Sequence, residues 1–486
     1  MSKDQNAYIT LYLSLTLGLM LTFVFLLLES IRNESMKMET EIVMDTSLYS
    51  VFGEYHRQLL EQYDLFFIDT SYGQGKPDIK RCEEQIQYYM NQNFQKETIE
   101  SPFVIKNLTN LFCDNVTLEN YSYASDRQGN VLKEQIVEYM QDKKGITVAE
   151  KILSQFDSIK TGNYLNMNIE NAWDEADHNL NKLIEEKKKK LQQEDPENEI
   201  SIDFKHPAAT VKEIKAQGIL GMALPTEKKV SAMVIRPQYY FSHRQPLQGE
   251  GVLKVEKTIL DQVTAKYLFL EYLLEKCGSY SKEKSTSVLE YQIEYLLHGK
   301  AGDLENLEAV MEDILHLREA INFVYLLSDS KRMTEADSMA ALISILLLSP
   351  EIKDAVKVTI VFAWCYAESV KDVKILMDGH KLPMLKTENS WNTPLSDLVF
   401  FTSTLDHYKI PKEGVSYEDY LRFFLSLKSE KQLLKHFMDI CEMDIRITQG
   451  NEYFQMDGCV NAIKAKANVS SINGNGYEII RTYSYD

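Results

Sequence analysis

The chain has 486 residues and a formal charge of −19, with 44% hydrophobic and 26% charged residues. That is length for about three domains with real cores, at an ordinary globular composition. So acidic a chain repels phosphate backbones, which excludes nucleic acid as a partner class, and its low Gly and Pro counts (20 and 11) favour helix over loop.

After a short tail over 1–6, no charge occurs between Asp4 and Glu29. Residues 7–28 form an apolar stretch that, as a helix, spans about 33 Å, enough for a bilayer core of about 30 Å. A signal peptide would have a shorter apolar region and a small-residue cleavage site. Here the run Phe23-Val24-Phe25-Leu26-Leu27-Leu28 meets Glu29 directly. The stretch therefore predicts an uncleaved single-pass anchor, with Ala7, Ile9, Leu13, Leu17, Gly18, Leu21, Phe25 and Leu28 as its membrane-facing or helix-packing residues. Lys3 on one side and Arg32 and Lys37 on the other leave orientation open. The runs Ala340–Leu348 and Val358–Ala367 are too short to span and read as buried core helices.

Beyond the anchor, Ile31, Met38, Ile42, Tyr49, Phe52 and Leu59 recur at sevens, fours and threes, predicting one long amphipathic helix. Leu65-Phe66-Phe67-Ile68 reads as a short buried strand, so 29–69 is long helix and first strand, the order found in pilins. Residues 70–195 read as mixed α/β, with a strand around Leu118–Ala124. The Lys187–Lys190 run is balanced by Glu185, Glu186 and Glu194 and reads as a solvated helix face. Prolines and glycines concentrate in 196–251, a loop-rich boundary.

A helical bundle is expected over 252–448. Its helices are read at Ser287–Leu297, Thr334–Leu348, Glu351–Met377, Leu395–Asp406, Tyr417–Leu427 and Glu430–Ile445. Thr334 with Asp337, and Ser416 with Asp419, resemble capping boxes at helix starts. At 449–486 an alternating run from Val460, the turn Asn473-Gly474-Asn475-Gly476 and the strand-like Tyr477–Tyr485 predict a β-hairpin. It is expected to join the Leu65–Ile68 strand beside the long helix. The fold class is α+β, predominantly helical: an anchor continuing into a pilin-like helix, a small sheet with a C-terminal hairpin, and a bundle.

Chemistry is sparse. No zinc-protease, hydrolase-elbow, nucleotide-loop or EF-hand motif occurs. Gly73-x-Gly75-Lys76 reads as a plain turn, and His298 and His316 as satisfied surface or core histidines. The six cysteines have no zinc spacing. Cys277 and Cys365 read as core residues, whereas Cys82–Cys113 and Cys441–Cys459 could be disulfides in an oxidising compartment. No catalytic residue, metal site or cofactor is assigned.

The segment from Ala7-Tyr8-Ile9 to Leu28-Glu29-Ser30-Ile31-Arg32 resembles the anchor of the TadE and TadG group of tight-adherence (Tad, Flp-type) pilus systems. More specifically, the chain resembles a bacterial membrane-anchored domain family of unknown function that accompanies those systems in Gram-positive bacteria. The similarity is carried by Glu61–Asp69, by Glu294-Tyr295-Leu296-Leu297-x-Gly299-Lys300, by Leu317–Asp329, by Ala363-Trp364-x-Tyr366-Ala367-Glu368-Ser369 and by Tyr417–Leu421. It implies a component of a pilus assembly or adhesion apparatus in the cell membrane, its large domain outside. Its partners would be the bilayer and other membrane proteins of the apparatus. A prepilin cut before the apolar run would place Tyr12 where pilins carry Glu, which points to a permanently anchored accessory protein, and with no catalytic motif a non-enzymatic, pseudopilin-like role is expected. The alternative is an anchored surface enzyme or glycan- or ligand-binding module, which needs a polar cleft with converging carboxylates or histidines.

Overall fold

In a computed structural model of the protein, residues 2–95, 110–143, 154, 156–194, 207–249, 261–284, 286–472, 474 and 476–485 are described. The chain divides into two compact units: 1–139 with 240–259 and 441–486, and 140–239 with 260–440.

The first unit is built on helix α1 (Ser2–Phe52), 51 residues without a proline. At 1.5 Å per residue it is about 77 Å long. It stops sooner than the expected end at Leu59. Gly53 is a poor helix former, and the side chain of His56 accepts the N–H of Leu59, starting a separate helix α2 (Arg57–Tyr63). The expected Leu65–Ile68 strand is narrower and shifted: β1 is Ile68–Asp69 alone. Leu65 and Phe67 are buried as predicted. At Phe66 the Gln135 amide takes the place of a neighbouring strand, accepting the backbone N–H and donating to the carbonyl, both at 2.9 Å.

Helix α3 (Lys80–Phe94) and the strand β2 (Leu111–Tyr123) follow, and β3 (Cys459–Ser471) and β4 (Gly476–Ser484) close the sheet. All pairings are antiparallel and centre on β3. On one edge β2 pairs Tyr123 with Val460; on the other, β1 pairs Ile68 with Val460 and β4 runs from Ser470↔Gly476 to Ala462↔Ser484. The predicted hairpin and its union with the Ile68 segment are thus present. Asn473 and Asn475 lie outside the described residues, while Gly474 takes φ +86°, the left-handed conformation a tight turn demands.

From Ile463 to Val469, β3 alternates a buried residue with a half-buried one, the period-2 pattern of a strand with one covered face. Ala465 and Ala467 leave little bulk there, so helices can lie close. The core joins them to Cys82, Ile86, Met90 and Phe94 of α3, spaced at four, and to Met36, Val43, Met44, Leu48 and Val51 of α1. This corrects the reading of α1: the buried face is not the Ile31–Met38–Ile42–Tyr49 stripe but the neighbouring one.

The second unit is a helical bundle centred on helix Lys353–Met377, buried on nearly every side from Thr359 onward. Helices Asp303–Ser328 and Ser330–Leu346 pack on it. Several expectations shift. Helix Gln292–His298 starts later than Ser287, and Leu395–Thr404 is a 3-10 helix broken at Phe400. Helix Ser330–Leu346 starts before Thr334 because Asp329 accepts the N–H of Arg332, and Thr334 instead donates to the Ser330 carbonyl inside the helix. The Ser416/Asp419 box is formed, with Ser416 Oγ accepting from the Asp419 N–H and Asp419 Oδ2 from the Ser416 N–H. The stretch read as loop-rich holds helices Pro207–Lys215 and Ile219–Ala223. The run Ala340–Leu348 is only half core. Ala336, Ala340 and Ile343 face inward, whereas Leu342, Ile345, Leu346 and Leu348 are exposed, because this helix packs by one narrow stripe.

Candidate functional site

Residues 8–28 of α1 bury nothing against the rest of the chain, and α1 is long and apolar enough to cross a membrane, with a mean hydropathy of 2.3 over its most apolar stretch. Ile9, Leu13, Leu17, Leu21, Phe25 and Leu28 are all exposed along it. Ala7 lies on the same helix. Gly18 has open space where a Cβ would stand, so a neighbouring helix can approach there. The hydroxyls of the stretch are turned back on the helix: Ser14 donates to the Leu11 carbonyl at 2.9 Å, Thr16 to those of Tyr12 and Leu13, and Thr22 to that of Leu19 at 2.8 Å. Such bonds remove the cost of carrying hydroxyls into hydrocarbon.

Past Leu28 the helix is clamped to its own sheet. Arg481 of β4 pairs with Asp45 at 3.0 Å and Glu41 at 3.4 Å. The Tyr485 hydroxyl donates to the Phe52 carbonyl at 2.6 Å, and the Phe52 ring lies 4.7 Å from that of Tyr483 and 4.8 Å from that of Tyr485. From α3, Asn93 donates to Ser47 Oγ, and Gln85 and Tyr89 both donate to Glu54. The apolar stretch and the sheet are thus joined by one unbroken helix.

A different feature, which the sequence reading missed, lies inside the bundle. Arg318, Glu368, Asp372 and Lys386 have fully buried side chains. Asp372 accepts from Arg318 Nε at 2.9 Å, Asn322 at 3.0 Å and Lys386 at 2.7 Å. Glu368 pairs with Lys386 and accepts the backbone N–H groups of Asn392 and Thr393. Arg318 also donates to the carbonyls of Pro383 and Met384. Two cations and two anions balance. Burial would raise the Asp372 carboxyl, but Arg318 and Lys386 hold it below the usual range. The available signal was a charge interrupting an apolar stripe: Arg318 sits between Ile314 and Ile321, and Glu368 and Asp372 lie in the most buried helix.

Beside this lattice a pocket of about 540 Å³ is lined by Lys331, Arg332, Trp364, Trp391, Thr393 and Lys409, among others. Both indoles donate to the Thr393 carbonyl, at 2.7 and 2.8 Å, and the Arg332 guanidinium lies 5.1 Å over the Trp391 ring. Glu335 and His407 are its acid and imidazole. That wall is suited to holding an anion rather than to paired-carboxylate chemistry.

The remaining candidates resolve simply. His298 stands 3.1 Å from Asp313 and His316 3.4 Å from Glu319. Gly73 and Gly75 occupy a turn with positive φ. All six cysteines are buried free thiols, so neither Cys82–Cys113 nor Cys441–Cys459 is a disulfide here. Among the described residues no group of three or more His, Cys, Asp or Glu could hold a metal ion.

No curated protein and no solved structure matches the chain. A family of unknown function, DUF5702, matches residues 191–471, which include every member of the buried lattice and all of β3 but not α1. More than half of the chain is covered, and the protein belongs to the DUF5702 family.

Proposed function

We propose that this protein is a non-enzymatic, permanently membrane-anchored, pseudopilin-like component of a tight-adherence pilus or secretion apparatus. Its large domain stands outside the cell, and its partners are the bilayer and other membrane proteins of the apparatus. One observation carries the reading: α1 runs without a break from an apolar stretch of membrane length into a sheet that grips it by ion pairs and aromatic contacts. A rod so built fixes the distance of the sheet from the lipid and passes load between them. The resemblance of the N-terminal segment to tight-adherence anchors supplies the system.

The test is to shear intact cells and locate the protein by immunoblot and N-terminal mass spectrometry. Full-length chain in the membrane, with protease-sensitive sites reachable from outside, is the expected result. Chain in the filament fraction, cut near Ala7, would make it a processed pilin instead. Normal piliation in a deletion strain would sink the assignment to a pilus. The cationic, tryptophan-walled pocket favours a second reading, a surface module for acidic glycans; a panel of such glycans that leaves the melting temperature unmoved would dismiss it.

A further inference from the structure

The face of α1 that its own sheet leaves open is patterned. Beyond the apolar stretch, Ile31, Ser35, Met38, Ile42, Asp45 and Tyr49 fall at intervals of four and three in strict alternation, and every one is exposed. Ile31, Met38, Ile42 and Tyr49 are 54 to 69% exposed, on the same turns whose other face buries Met36, Val43, Met44 and Leu48. The same alternation continues back through Leu28, Val24, Leu21 and Leu17. In the apolar stretch every face is open, so the observation that matters is the one at 31–49. Single exposed apolar side chains are ordinary. Four on one heptad seam, continuous with an apolar span, describe the surface on which a second helix winds with a left-handed crossing.

Charge says which helix. In a parallel pair the positions flanking the seam meet across it, each residue facing the one five places further along its partner. A second copy of this chain would set Glu34 against Glu39 on both flanks and Asp45 against Asp45 within the seam. Like charges in those places oppose pairing. Asp45 is already tied to Arg481 of its own sheet. The order of the seam, lipid-length apolar part first and soluble part after, requires a partner running the same way.

We propose that α1 is one strand of a parallel, heteromeric coiled coil. The other strand is a different single-pass chain with the same four-three apolar repeat and Lys or Arg facing Glu34 and Glu39. This rests on the reading of α1 as a membrane anchor.

A photo-cross-linking amino acid is placed at Met38 in the full-length chain in cells, and at Lys37, exposed but off the seam, as control. The expected product is an adduct from position 38, at least about tenfold over position 37. Peptide sequencing should identify its second chain as a different one with an apolar four-three repeat and basic flanks. An adduct of twice this chain's mass, equal yield at both positions, or no adduct would overturn the proposal. A second measurement needs no natural partner. Purified full-length chains are labelled for energy transfer in liposomes, wild type mixed with wild type or with an E34K/E39K variant. The mixed pair should associate about tenfold more tightly, since two repulsive flanks become attractive. Equal association would also overturn the proposal. Flotation of the liposomes separates the two failures: protein that does not float sinks the anchor reading itself, whereas protein that floats without seam-specific pairing sinks only this inference.

Discussion

Arg318 shows how much a single residue can carry in the bundle. Its guanidinium satisfies the fully buried Asp372 and two loop carbonyls, of the half-buried Pro383 and Met384, and Asp372 has no access to water as an alternative. Arg318→Met should therefore cost about 3–5 kcal/mol, the penalty of leaving a buried charge half paired. Replacing the whole lattice by apolar residues of equal volume should cost less than this one change. Because the folded Asp372 carboxyl is held below its usual value, its contribution is complete above about pH 4 and disappears as pH falls through the lower, folded value. Glu294 behaves in the opposite sense. Burial raises its carboxyl to about 7 against the bonds it accepts from the Tyr280 N–H and the Tyr417 hydroxyl. The folded state then holds a proton that the unfolded state releases from about pH 4.5, so stability falls as pH rises from about 4.5 to 7, by about 3 kcal/mol in all. Denaturant melts from pH 4 to 8 should show that decline, and Glu294→Gln should flatten it. A wild-type midpoint that is level across the range would show that Glu294 stays ionised in the fold.

At the scale of elements, α1 is the informative case, because it has two apolar faces with different uses. Met44 is fully buried against the sheet and α3, whereas Met38 is 63% exposed on the open face. Met44→Ala should cost about 2–5 kcal/mol. Met38→Ala, the same chemical change six residues away, should stay within about 0.5 kcal/mol for the isolated protein. Urea midpoints of the two variants decide the matter, and equal losses would mean that the docked face is wrongly assigned. The pair also marks where sequence periodicity stops being readable. Two stripes of helical period, one at 31, 38, 42 and 49 and one at 36, 43, 44 and 48, lie side by side, and nothing in the pattern ranks them. What ranks them is the sheet, whose strands β3 and β4 come from the far end of the sequence, with small Ala465 and Ala467 where the helices press in. Local signals fared better. The Ser416 cap, the alternation of β3 and the left-handed Gly474 are decided within a few residues, and they stand where they were expected. The end of α1 was not, because a histidine three residues past Gly53 recaptured the backbone.

For the molecule as a whole, the sequence disclosed its classes of parts more readily than their connections. An apolar helix of membrane length, a sheet with a terminal hairpin and a bundle were all legible from hydropathy and turn chemistry. The interleaving of three chain segments into the first unit was not, since 240–259 and 441–486 return to it after long excursions and only tertiary contacts reveal that. The buried ionic lattice was missed for a related reason: its four charges come from positions 318, 368, 372 and 386, and paired charges look like surface charges until they are brought together. The same separation of parts makes the apolar stretch removable. Residues 8–28 bury nothing, whereas 29–52 supply one wall of the core. A chain lacking 2–28 should therefore fold, with a melting temperature within about 2 °C of the full-length protein, since truncation there removes no packed contact. It should leave the membrane fraction, since α1 is the one helix among the described residues long and apolar enough to span. Ultracentrifugation of lysed cells reads the outcome directly. A truncated chain that stays folded yet sediments with membranes would mean that a second surface holds it there. The exposed Leu342, Ile345, Leu346 and Leu348 would be the first to test, because four aliphatic side chains, each more than 60% exposed within seven residues, form a second lipid-compatible surface.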